Sequence, residues 1–70
     1  MAQGQILWFD AARGFGFIRP DLGPRDVFVH VSALAETGVN ELRPGAKVEF
    51  ELLQDRSGRL TAHRVLPAKR

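Results

Sequence analysis

The chain has no cysteine and no tyrosine, a single tryptophan and a single methionine. Without cysteine there is no disulfide to staple the fold and no thiolate to hold a metal, so packing and hydrogen bonds must hold it together. Long apolar runs are also absent: nothing approaches the roughly 18 residues of a membrane span. The opening Met1-Ala2-Gln3-Gly4-Gln5 has neither the basic start nor the apolar stretch of a signal peptide, so a soluble cytoplasmic protein with no membrane partner is expected. Helical periodicity is missing apart from Ser32-Ala33-Leu34-Ala35-Glu36, which reads as one turn with Ser32 as N-cap before Thr37-Gly38 ends it. Strong charge of one sign is missing too. Ten Lys and Arg stand against eight Asp and Glu, a net +2, and the pI of 9.9 overstates basicity at pH 7 because no tyrosine or cysteine titrates above neutrality. That balance is compatible with a phosphate-bearing partner but does not select one. Seventy residues are the length of one small domain, 1–70 with 67–70 a frayed end, and leave no spare core for an elaborate catalytic cavity.

What the sequence does have is frequent punctuation by glycine and proline, with apolar runs of strand length between. Five strands are expected, over residues 5–10, 15–19, 27–31, 47–54 and 59–66. Val48, Phe50 and Leu52 alternate with Lys47, Glu49 and Glu51, the period of two that marks a half-buried strand with a wet face. Glu49 and Glu51 are therefore read as solvated, not catalytic. Asp55-Arg56-Ser57-Gly58 has the composition of a tight hairpin turn and residues 20–26 that of a longer loop, each joining antiparallel strands. The fold class is all-β.

The informative segment is Arg13-Gly14-Phe15-Gly16-Phe17-Ile18, followed by Val27-Phe28-Val29-His30. In extended chain Phe15 and Phe17 share one side and Gly16 and Ile18 the other; Phe28 and His30 likewise oppose Val27, Val29 and Val31. Phenylalanine is by habit a core residue. Here the aliphatic faces already supply a core, the glycines open the backbone to close approach, and Arg13 and Arg19 flank the rings. Rings beside guanidinium groups suit a single-stranded nucleic acid, whose bases stack on aromatic faces at about 1–3 kcal/mol each while cations follow the phosphates.

With these two motifs in place, and Gly4-Gln5-Ile6-Leu7-Trp8-Phe9-Asp10 before them, the chain resembles the bacterial cold-shock protein family. Residues 13–18 look like the family's first ribonucleoprotein motif and residues 27–30 its second, while Ser32-Ala33-Leu34 and the stretch from Leu42 to Glu51 keep register with it. The resemblance implies a small five-stranded antiparallel β-barrel of the oligonucleotide-binding (OB-fold) type. It also implies Trp8, Phe15, Phe17, Phe28 and His30 as stacking residues, with Arg13 in place of the motif's usual lysine. Phe9 is left open between core packing and base contact. The family's role as an RNA chaperone acting on transcription or translation follows as an expectation, with single-stranded RNA and DNA as partners, a monomer, no cofactor and no enzymatic activity. Four positions depart from the pattern: Leu7 for a lysine, Asp10 for an asparagine, Val31 and Val39 for aromatics. Losing a cation and two rings and gaining an anion weakens the expected affinity; Arg19, Arg25, Arg56 and Arg59 are the cations available to offset it.

Other signals carry less. Gly14-Phe15-Gly16-Phe17-Ile18-Arg19 lacks the third glycine of a dinucleotide fingerprint and no helix follows it. Pro20 stands where an RNA recognition motif needs its last aromatic, and that fold needs two helices besides. His30 and His63 have no cysteine partners for zinc, so no metal site is expected; His63 reads as a plain surface residue of the last strand. Ser32 near His30 lacks a third, orienting group, which argues against a nucleophile. The alternative from another class is a protein-interaction module that uses the same exposed aromatic patch.

Overall fold

A computed structural model describes residues 1–38 and 42–68. The strands are β1 (Ala2–Asp10), β2 (Phe15–Pro20), β3 (Val27–His30), β4 (Lys47–Gln54) and β5 (Leu60–Pro67), with one short helix, α1 (Val31–Ala35), between β3 and β4. They close into a barrel in the order β1-β2-β3-β5-β4. The all-β barrel is thus as expected, with one qualification: β1–β2, β2–β3, β4–β5 and β1–β4 are antiparallel, whereas β3 and β5 run parallel. The helical excursion and the return through β4 bring β5 back beside β3 in the same direction. Local alternation carries no information about that pairing.

The core is built from the aliphatic faces read in the sequence. Ile18, Val27 and Val29 are fully buried, joined by Ile6, Val48, Phe50, Val65, Ala62, Ala33 and Leu34, and no polar or charged side chain is buried among the described residues. Alternation in β4 holds only as far as Phe50. Leu52, expected inside, is 43% exposed because the outer half of the β4–β5 hairpin runs past the closed part of the barrel.

Two irregularities shape the outer surface. In β1, Ile6 pairs with Ile18 and Trp8 with Phe17, so two steps along β1 face one step along β2. Leu7 is the extra residue of a bulge, and a bulge of one residue reverses the inside–outside alternation beyond it. Strict alternation from buried Ile6 would turn Trp8 inward and Phe9 outward. With the bulge, Trp8 turns out beside Phe17, and Phe9, opposite Gly16, packs against the core. In β5, three steps from His63 to Leu66 face two from Glu51 to Glu49. Arg64 takes a left-handed conformation there (φ 53°), and the segment after α1 grips the irregularity. The Arg64 N–H donates to the Glu36 carboxylate at 3.0 Å, and the Thr37 hydroxyl donates to the Val65 carbonyl.

Gly16 answers a steric need at the bulge. A Cβ there would sit on the Trp8 carbonyl oxygen and 2.7 Å from Phe9 Cα, so β1 and β2 can approach this closely only with glycine. The helix starts two residues earlier than an N-cap at Ser32 implies. Val31 is its first residue, 43% exposed, and does not extend the row of inward valines. The N-cap is His30, not Ser32: the Ser32 N–H donates to His30 Nδ1 at 3.2 Å. Pro67, expected in a frayed end, closes β5 opposite Val48, and the Ala68 N–H donates to the Lys47 carbonyl at 3.0 Å.

Candidate nucleic-acid interface

Three strands converge on one outer patch. The register sets Trp8 beside Phe17, Phe17 beside Phe28, and Phe15 beside His30. Trp8 lies 5.5 Å from both Phe15 and Phe17; Phe28 lies 5.9 Å from Phe15 and 5.8 Å from Phe17. The four rings therefore close a circuit, two pairs edge to face, Trp8–Phe17 tilted at 56°, and the Phe15–Phe28 pair nearly stacked at 24°. These are favoured aromatic geometries. They hold the rings as a platform: Trp8 is 42% exposed, the phenylalanines half-buried and His30 exposed. Because His30 Nδ1 accepts the Ser32 N–H, the neutral ring carries its proton on Nε2, which is left to donate.

Cations frame this platform unequally. The Arg59 guanidinium stands 5.1 Å from the centroid of Phe28, a cation–π contact held in place by the β4–β5 turn. Within that turn Asp55 Oδ1 accepts from the Ser57 N–H and hydroxyl and from the Arg59 N–H, at 2.9, 2.7 and 2.9 Å. Those bonds, the Ser57 hydroxyl first, hold the Asp55 carboxyl below its ordinary value of 3.8. Arg25 joins the same corner by donating to the Gly58 carbonyl at 3.5 Å, and Arg56 lies in the turn itself. Arg19 is exposed on β2 and continues the outward row of Phe15 and Phe17. Arg13 lies at the opposite edge in the β1–β2 turn, 3.8 Å from Asp10.

The departures from the family pattern take structural form here. Leu7 is the bulge residue, half-buried. Asp10 Oδ1 accepts the N–H groups of Ala12 and Arg13 at 3.0 and 3.1 Å while its other oxygen faces Arg13, so the added anion is engaged by the turn it starts. Val31 packs toward Gly14, whose added Cβ would meet it at 3.3 Å. Val39 lies outside the described residues. Phe9 supports the platform from the core side. The sequence reading left out Thr61, paired with Phe28 across the parallel seam, and Leu53, paired with Thr61 and 45% exposed. No local pattern could have found them, since only the β3–β5 pairing brings that strand to the rings. Among the described residues no cluster of three or more His, Asp and Glu could hold a metal ion, and no helix is long and apolar enough to cross a membrane.

The chain is similar to known proteins along almost its whole length. The sequence matches the 'Cold-shock' DNA-binding domain family over residues 2–68. A probable cold shock protein, y4cH, of Sinorhizobium fredii is 52% identical over 63 residues, covering 89% of this chain and 91% of that protein. Cold shock protein CspA of Rhizobium meliloti is 44% identical over the same coverage, and the cold shock-like protein CspE of Escherichia coli is 45% identical over 56 residues, 80% of this chain and 81% of its own. An OB-type barrel with two ribonucleoprotein-like strands, matched along almost its whole length, belongs to the cold-shock domain family of nucleic-acid-binding proteins.

Proposed function

We propose that this protein captures single-stranded RNA or DNA by stacking exposed bases on Trp8, Phe15, Phe17, Phe28 and His30, while Arg13, Arg19, Arg56 and Arg59 follow the phosphates. The observation that carries the reading is the circuit of four rings on the outside of the barrel, at centroid distances of 5.5–5.9 Å, with Arg59 against one of them. A fold whose core is already complete without them has no packing need for rings there, and stacking faces beside cations are what an unpaired strand requires. Binding only the open strand draws structured RNA toward the unpaired form by mass action, which is the work of an RNA chaperone in transcription or translation. Neither a cofactor nor a catalytic step enters this mechanism. Residues 1–70 act as one domain in the cytoplasm, and as a monomer: closing the barrel leaves only short stretches of strand edge, such as β4 beyond Phe50, for a second copy.

Quenching of Trp8 fluorescence tests it, by titration with oligothymidine and with a duplex at two salt concentrations. The expected result is saturable quenching by the single strand only, weakening with salt by about 0.7 in log–log slope per phosphate neutralised. A Phe15→Ala, Phe17→Ala variant that remains folded should lose about 1–3 kcal/mol of binding per ring. A folded protein with no response to either nucleic acid would overturn the proposal and redirect attention to a protein partner for the patch.

A further inference from the structure

The stacking platform as described stops at β3, yet the barrel does not. Phe28 pairs with Thr61 and Val29 with Ala62 in the parallel seam. Carried one residue further, that register sets His63 of β5 alongside His30 of β3. Ala62 is buried, so Thr61 and His63 share the outward face with Phe28 and His30. The surface thus continues in two rows. One runs Trp8, Phe17, Phe28, Thr61 and Leu53; the other runs Phe15, His30 and His63, with Glu51 next across β4.

Building on the single-strand reading, we propose that the bound strand continues across this seam and that His63 is its next contact. Near neutrality the imidazole offers a ring and a hydrogen bond to a base; when protonated it offers a cation to the adjoining phosphate. The two histidines differ in what protonation disturbs. His30 Nδ1 already accepts the Ser32 N–H that caps α1, so a proton on that nitrogen breaks the cap. His63 Nε2 lies 3.3 Å from the Thr61 hydroxyl, which itself donates to the Leu53 carbonyl at 3.4 Å. That hydroxyl oxygen can accept from His63 Nε2–H, so charging His63 leaves its local bonding intact. The titratable groups beside His63 are Glu51, opposite it on β4, and, by the extended register, His30 on β3; the Glu36 carboxylate after α1 accepts the N–H of the next residue, Arg64. Histidine is the side chain that gains charge between about pH 8 and 5.

The test compares wild type, His63→Gln and His63→Lys by Trp8 quenching with oligothymidine at pH 7.5 and 5.5, over a range of salt, with circular dichroism to confirm the fold at each pH. Wild type should bind about two- to five-fold tighter at the lower pH, the range that one exposed ion pair spans, with a salt slope steeper by about 0.7. His63→Gln should lose that share of the tightening and of the slope change. His63→Lys should bind at pH 7.5 with the slope wild type shows at pH 5.5, a rescue that a merely structural histidine would not give. Identical affinities and slopes for wild type and His63→Gln at both pH values would overturn the inference while leaving the stacking platform standing. Absence of quenching in all three folded proteins would overturn the nucleic-acid reading itself, and this inference with it.

Discussion

A carboxylate at the rim of a phosphate-binding surface repels only as far as it is free to do so. Asp10 is not free: two backbone N–H groups and the Arg13 side chain engage it. Asn at this position keeps an oxygen for both N–H groups, removes the anion and releases Arg13. Asp10→Asn should therefore tighten oligothymidine binding and steepen its salt slope by about 0.7, with little change in thermal stability; an unchanged slope would mean that Arg13 takes no phosphate. Gly16 gives the opposite kind of prediction, with stability as its readout. The atoms that an alanine methyl would strike are backbone atoms of Trp8 and Phe9, which cannot swing aside, so Gly16→Ala should cost at least about 1–3 kcal/mol in urea unfolding. The outward rings Phe15, Phe17 and Phe28 were legible from alternation together with the aliphatic opposite face and the flanking glycines and arginines, because both of their strands are regular. Trp8 and Phe9 were not, because alternation read through β1 breaks at Leu7, and nothing about a leucine announces a bulge.

The β4–β5 hairpin turn works as a single unit that folds around one carboxylate and delivers Arg59 to Phe28. The bonds from Ser57 and Arg59 favour ionised Asp55 and hold its carboxyl below 3.8. The folded state therefore binds this proton more weakly than the unfolded chain. The stabilisation is complete above the unfolded-chain value and fades as pH falls through the lower folded one. Thermal unfolding from pH 6 to pH 3 should show the advantage of wild type over Asp55→Asn shrinking with acid; a constant difference would remove the charge from the explanation. At this scale much was readable: β4 was expected over 47–54 and the turn at Asp55 to Gly58, as observed. The start of α1 was misread because a histidine took the capping role that serine usually fills. Val31 belonged to a strand by pattern and to the helix by position.

The whole molecule has neither disulfide nor described metal cluster, and its described core is ten apolar residues, nine of them small or medium and the tenth Phe50. Stability in such a small domain is modest, so ligand binding should show strongly in it. Oligothymidine at one hundred times its dissociation constant adds about 2.7 kcal/mol. At about 4–8 °C per kcal/mol for this size, the unfolding midpoint should rise by roughly 10–20 °C, and a duplex should leave it unmoved. The barrel class was legible from strand-length runs and punctuation, whereas the parallel β3–β5 seam was not, since it joins segments more than thirty residues apart. The Leu7 bulge has one more consequence. It acts as a frameshift in three dimensions: side chains before it are addressed to the barrel in one phase and those after it in the other. Replacing Leu7 leaves that phase untouched, and deleting it would make Ile6, Trp8 and Phe9 a regular in–out–in run opposite Ile18, Phe17 and Gly16, whereas one residue added beside an intact bulge would exchange the destinations of Trp8 and Phe9. This stretch of β1 is thus open to change in identity and closed to a gain in length.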